Sequence, residues 1–141
     1  MQEIATRDEL TQLYNRRHFY RWLQAELAKA RATKQPLAIL LLDVDGLKGI
    51  NDEYGHTVGD VIIANLAKVV TKHVRTSDVA ARLGGDEFGV IMPGTDKRGA
   101  FSLAQRLWEE LEQTPMYEEG STRVMVNVSI EIGRASCRER V

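Results

Sequence analysis

Cysteine is almost missing from this chain. Cys137, near the end, is the only one, which excludes an intrachain disulfide and leaves neither a zinc cage nor a partnered thiol nucleophile. An excess of charge of one sign is missing too: 19 Lys and Arg against 20 Asp and Glu give a formal net charge of -1. No general basic field therefore draws the chain to nucleic acid or to an anionic membrane, and any phosphate must be held by local groups. There is no long apolar run. The longest, Leu37 to Leu42, is far short of the roughly 18 to 20 residues that span a bilayer, and no charged-then-apolar leader follows Met1. These absences place the chain in the cytoplasm, without nucleic acid or membrane contact. What is present is 141 residues, 43% of them hydrophobic, enough for one α/β or α+β domain with its own core.

Apolar spacing predicts the elements. Phe19, Trp22, Leu23, Leu27 and Ala30 recur at three and four, which predicts an amphipathic helix over Arg16 to Ala32 that Pro36 ends. Leu37 to Asp43 is short and continuously apolar, the pattern of a central strand buried on both faces with a carboxylate at its exit. A polar stretch follows, and Val58 through Val70 restore the helical period up to about His73. Val79 to Leu83 and Phe88 to Met92 read as two strands of a hairpin around Gly84 to Glu87. Ala100, Phe101, Ala104, Leu107, Trp108 and Leu111 mark a third helix ending before Pro115, and Val124 to Ile130 alternate as a half-buried strand. The order predicts an α+β sandwich, a mostly antiparallel central sheet flanked by helices.

Two carboxylate sources stand out: Asp43, with Asp45 beyond it, and the adjacent pair Asp86 and Glu87 at the hairpin tip. If they converge, their hard oxygens suit Mg²⁺, which takes one or two carboxylates and shares its remaining positions with water and substrate phosphate. If they do not, each is a solvated turn, since Asp and Gly are ordinary turn residues. Gly84 and Gly85 suit a tip where backbone approaches a ligand and φ turns positive.

The longer words around these carboxylates are DELTQLYNRR from Asp8 to Arg17, DVDGLKGINDEYGHTVGD from Asp43 to Asp60, and RLGGDEF from Arg82 to Phe88. In order and spacing, from about Asp8 to Ile130, they resemble the GGDEF domain of diguanylate cyclases. The resemblance implies a nucleotidyl-cyclase-like, palm-like fold and a homodimer in which each copy presents one GTP to the other. It implies condensation of two GTP into cyclic di-GMP with release of two pyrophosphates, and a sensor domain upstream.

By motif position, the resemblance implies that Asp43, the Val44 carbonyl and Asp86 hold Mg²⁺, with Mn²⁺ as an alternative. Asp86 would accept the proton of the attacking hydroxyl, and Glu87 would support the metal. Asn51 and Asp60 would read guanine, whose ring N–H and exocyclic amine are donors that suit two oxygen acceptors. The plainer readings are an Asx turn for Asn51 and a first-turn helix carboxylate for Asp60. His56 either lines the nucleotide or fixes the loop. Lys48, with the backbone amides of Gly46 and Leu47, would face the β and γ phosphates, and Gly84 and Gly85 would let the backbone meet the nucleotide. Arg75, Asp78 and Arg106 match the family's site for product inhibition by cyclic di-GMP, or else Arg75 and Asp78 form only a surface ion pair.

Three departures qualify the match. Leu47 stands where an aromatic is commoner, Gln12 replaces the usual glycine of the N-terminal motif, and the family's final helix and closing strand, with their phosphate-clamping Lys and Arg, are not seen. Glu131 to Val141, back-translated, resembles a widely used short-read sequencing adapter, so the domain is assigned to 1–130 and 131–141 to a non-native tail. The alternative functions are a GTP or cyclic di-GMP binding module without turnover, and an inactive fragment.

Overall fold

The structure, a computed structural model, describes residues 5–135. The chain order is α1 (Arg16–Thr33), β1 (Leu37–Val44), α2 (Leu47–Tyr54), α3 (His56–His73), β2 (Val79–Arg82), β3 (Glu87–Pro93), α4 (Lys97–Gln113), β4 (Tyr117–Glu119), β5 (Thr122–Val124) and β6 (Val128–Ala135). Four strands form one sheet in the order β2-β3-β1-β6, and every neighbouring pair is antiparallel. The helices cover both faces, which is the α+β sandwich that the periodicities predict.

Two caps fix helix starts. The Asn15 side chain accepts from the His18 amide to open α1, and Asp96 accepts from the Gly99 amide to open α4. One face of the sheet buries Leu40, Leu42, Val44, Phe88 and Val90 against Ile62, Leu66 and Val70 of α3 and Leu103, Leu107 and Leu111 of α4. The other face is shallower: Phe19 of α1 packs with Leu37, Val79, Ala81 and Ile91.

That shallow face corrects the expectation of a strand buried on both sides. α1 covers the beginning of β1, but Leu41 is 41% exposed and Asp43 is exposed, so the sheet is open where the strand delivers its carboxylate. Aromatic residues mark a second difference. Trp22, Phe101 and Trp108 are exposed and not core-facing. At the start of α1 the ladder Tyr14, His18, Trp22 stacks with centroid separations of 4.2 and 5.6 Å and ends on the exposed Trp22, and in α4 the smaller Ala100 and Leu103 occupy the buried line.

The polar stretch after β1 is itself helical, as α2, which apolar periodicity could not show because no residue of α2 is buried. The strand expected from Val124 to Ile130 is two pieces: β4 and β5 make a separate hairpin, and β6 begins at Val128. β6 runs across Ile130 without a break and pairs with β1 from Val44↔Val128 to Leu37↔Ala135, so Glu131 to Ala135 are part of the sheet here. Residues 136–141, with Cys137, lie outside the described residues.

Candidate active site

β1 and β3 bring the two carboxylate sources together. Asp43 is the register partner of Glu87, which puts both side chains on the open face, and the Val44 amide donates to the Asp86 carbonyl at 2.9 Å. Asp43, Val44, Asp86 and Glu87 are therefore neighbours across one ladder, although 42 residues separate Asp86 from Val44 in the numbering of the chain. Asp45 goes elsewhere: it accepts from the Ser129 hydroxyl at 2.8 Å, and its amide donates to the Asn127 carbonyl. Among the described residues no group of three or more His, Cys, Asp or Glu is gathered as a ready cage for a metal ion. The arrangement is two hard-oxygen sources side by side, which fits an ion that completes its shell with water and substrate oxygens.

The tip of the hairpin differs from expectation in its backbone. Neither Gly84 nor Gly85 adopts positive φ; the glycines that do are Gly46, Gly55, Gly94 and Gly120. The tip is shaped by Arg82, to which the sequence reading gave no role beyond opening the word RLGGDEF. Its guanidinium donates to the Gly84 carbonyl at 3.1 Å and the Gly85 carbonyl at 3.0 Å, and a third nitrogen reaches Asp8 at 3.3 Å. Asp8 also accepts from the hydroxyl and amide of Thr11. Partial burial opposes its ionisation, but the two Thr11 bonds and the nearby Arg82 charge outweigh this and hold the carboxyl below its ordinary value. The only sequence signal for the bracket was that Asp8 and Arg82 lie in matching motifs.

Gln12, at the glycine position of the N-terminal motif, sits at φ 62, a left-handed conformation that explains why glycine suits this turn. Its side-chain amide donates to the Glu9 carbonyl.

α2 begins at Gly46, whose φ of 70 turns the chain out of β1, and no side chain caps the first turn. The amides of Leu47 and Lys48 lie in that turn, and the Lys48 side chain is exposed, so Gly46, Leu47 and Lys48 form one helix start beside Asp43. At the other end of α2, Gly55 (φ 95) makes the corner into α3. The corner folds Asn51 onto the first turn of α3, where a Cβ built on Gly59 would overlap Asn51 Oδ1 and lie 2.9 Å from its Cγ. Asn51 Oδ1 is buried without a hydrogen-bond partner, a costly state unless something else donates to it. Asp60 follows Gly59 and is exposed, so it stands at the same corner as Asn51. His56 is exposed at the first position of α3.

The third predicted cluster also assembles. Arg75 grips Asp78 through Nε and NH2, at 3.2 and 2.8 Å to Oδ1, and adds bonds to the Pro93 carbonyl and the Thr95 hydroxyl. The Asp78 side chain is only 3% exposed while that of Arg75 is 55% exposed, so the acid anchors a guanidinium that still meets solvent. Arg106, bonded to the Ser102 hydroxyl, lines the same cavity of about 220 Å³ as Arg75 and Asp78.

With this geometry in place, comparison with known proteins gives a consistent result. The family described as diguanylate cyclase, GGDEF domain, matches residues 5–140. Diguanylate cyclase A of Treponema denticola is 34% identical over 137 residues, covering 95% of this chain and 36% of that protein. The response regulator PleD of Caulobacter vibrioides is 37% identical over 131 residues, covering 93% of this chain and 29% of its own length. Among solved structures, the GGDEF domain of DgcB from Caulobacter crescentus, in complex with c-di-GMP, superimposes with a TM-score of 0.90 at 29% identity, covering 99% of this chain and 80% of that one. This chain belongs to the GGDEF diguanylate cyclase family. It spans about a third of the length of these two curated relatives, and no helix among its described residues is long and apolar enough to cross a membrane.

Proposed function

We propose that this domain is a diguanylate cyclase working in the cytoplasm: two GTP are joined into cyclic di-GMP and two pyrophosphates leave. The observation that carries the reading is the ladder contact between Val44 and Asp86, with Asp43 opposite Glu87, because it unites the carboxylates of two distant motifs on an open face.

In each half-reaction a ribose 3′-hydroxyl attacks an α-phosphorus. A new P–O bond forms, the bond to pyrophosphate breaks, and the hydroxyl proton goes to Asp86. Positioning dominates such a transfer, since charge gathers on phosphate oxygens with little covalent work for the protein. Asp43, the Val44 carbonyl and Asp86, supported by Glu87, are the groups that would hold Mg²⁺ or Mn²⁺. When bound, the ion supplies charge neutralisation at the phosphates. Gly46, Leu47 and Lys48 offer amides and a cation to the terminal phosphates, Gly84 and Gly85 let backbone come close, and Asn51 and Asp60 accept from guanine beside His56.

Each domain holds one GTP, so closure of the ring requires a second copy of the chain, and an upstream sensor in the parent protein would control their meeting. Arg75, Asp78 and Arg106 form the site for feedback by cyclic di-GMP: the exposed guanidinium fork suits phosphate and the edges of guanine.

The test is incubation of the purified chain with GTP and Mg²⁺, with chromatography of the nucleotides. Cyclic di-GMP should appear, and Asp86→Ala should abolish it. Undiminished product from that variant would remove Asp86 from the mechanism.

A further inference from the structure

We infer that Gly59 is a specificity-determining residue of the guanine site: its missing side chain is the space in which the Asn51 carboxamide is held. The inference rests on the reading of Asn51 as a guanine acceptor. It adds a residue that neither contacts the base nor shares the chemistry, but decides whether the acceptor is in place.

Three observations converge on it. The first is contact. A Cβ on Gly59 would overlap Asn51 Oδ1 and come within 2.9 Å of Asn51 Cγ, whereas real Cβ atoms essentially never approach a heavy atom under 3.0 Å. The second is polarity. Asn51 Oδ1 is buried against Gly59 and makes no hydrogen bond to any described protein group, so the carboxamide is seated there by packing alone. The third is the backbone around it. The Gly55 amide donates to the Asn51 carbonyl at 2.8 Å and the Gly59 amide to the Gly55 carbonyl at 3.1 Å, so Asn51, Gly55 and Gly59 are bonded in series through the corner.

This series leaves little room for adjustment. Gly55 holds φ 95, which other residues rarely adopt, and the corner sets the approach of α2 to α3. Gly59 is itself buried, and its neighbour Asp60 is the second acceptor. A methyl at position 59 therefore has two outlets. It expels the Asn51 carboxamide, or it levers α2 away from α3 and carries the Gly46 to Lys48 turn with it. In both cases the Asn51 carboxamide leaves its seat at the corner that carries Asp60. Gly46, Gly55 and Gly85 differ, since a Cβ on any of them would meet nothing within 4 Å, and a Cβ on Gly84 would come no nearer than 3.0 Å, to the Glu87 carboxylate.

Binding of GTP and of inosine triphosphate, which lacks the exocyclic amine, measures the effect without relying on turnover. Gly59→Ala should bind GTP about tenfold more weakly, the factor for roughly one lost hydrogen bond to a buried acceptor, and its preference for GTP over inosine triphosphate should shrink. In an Asn51→Ala background the same glycine change should cost nothing further, because the residue it displaces is gone. Should Gly59→Ala alone fail to fold, the double variant, relieved of the overlap, should recover the parent's cooperative thermal transition; a double variant that stays unfolded overturns the contact. Native GTP affinity and preference in Gly59→Ala, with Asn51→Ala impaired, overturn the role of Gly59. Native affinity and preference in Asn51→Ala overturn the guanine reading itself.

Discussion

Replacing Arg82 by Ala tests whether the hairpin that carries Asp86 and Glu87 is held by a single guanidinium. The native side chain is 18% exposed and spans two backbone carbonyls and the Asp8 carboxylate, itself 23% exposed. The bond to the Gly84 carbonyl is part-buried and comes from a charged donor, so about 1.5 kcal/mol is assigned to it. The bond to the Gly85 carbonyl is exposed and contributes roughly 0.5 kcal/mol after solvent competition. The ion pair with Asp8, long at 3.3 Å and partly wet, adds at most about 1 kcal/mol. Their sum puts the loss at about 2 to 3 kcal/mol, read as a shift of the urea midpoint at constant slope. Arg82→Lys keeps the charge but not the fork, and should recover less than half of it.

The same bracket has a pH signature. The native Asp8 carboxyl is held below its ordinary value of 3.8, so its stabilisation is complete above that value and fades as pH falls through the lower native one. The gap between the parent and Arg82→Ala should narrow in that acid range, because Asp8 is then neutral in both. Hydrogen exchange at the Gly84 to Asp86 amides reads the local effect. An Arg82→Ala protein within about 0.5 kcal/mol of the parent, with unchanged exchange at the tip, would refute the bracket.

Two further outcomes follow from single residues. Gln12→Gly removes a side chain held at φ 62 and loses only one exposed bond to Glu9, so it should raise stability by roughly 0.5 to 1 kcal/mol in the same urea titration. Cyclic di-GMP should bind the parent chain by calorimetry and bind Arg75→Ala at least about tenfold more weakly, given the loss of a charged fork; equal affinities would dismiss the feedback site.

Which features were legible in the sequence depended on how they announce themselves. Periodicity located α1, β1, α3, the β2–β3 hairpin and α4, because each turns a regular line of apolar residues toward a core, buried in most and largely half-buried in α1. It missed α2, where no residue is buried, and it misassigned Trp22, Phe101 and Trp108, since helical spacing gives a stripe but not which edge of it faces inward. It joined β5 to β6 because Val124 and Val126 are both buried while belonging to a hairpin and a connecting segment. Motif words placed Asp43, Asp86 and Glu87 in one site, and the strand register brings them together. They could not disclose Arg82 or Gly59, whose importance lies in one guanidinium spanning two carbonyls and one absent Cβ.

The position of β1 in the sheet separates the two halves of the site in time. β1 is hydrogen-bonded on both sides, to β3 and to β6, so the amides in its middle are released only when one of those pairings opens, whereas the Val44 amide at its end is released with the tip. The hairpin tip is an end, joined to that strand by the Val44 bond and to the rest of the domain by Arg82, and it can open while the sheet stays closed. Asp43, paired with Glu87 on one side and Ser129 on the other, should therefore open more slowly than Asp86, a difference that hydrogen exchange reads. A ligand held by both carboxylates should therefore order the hairpin more than β1, leaving Asp43 the steadier of the two.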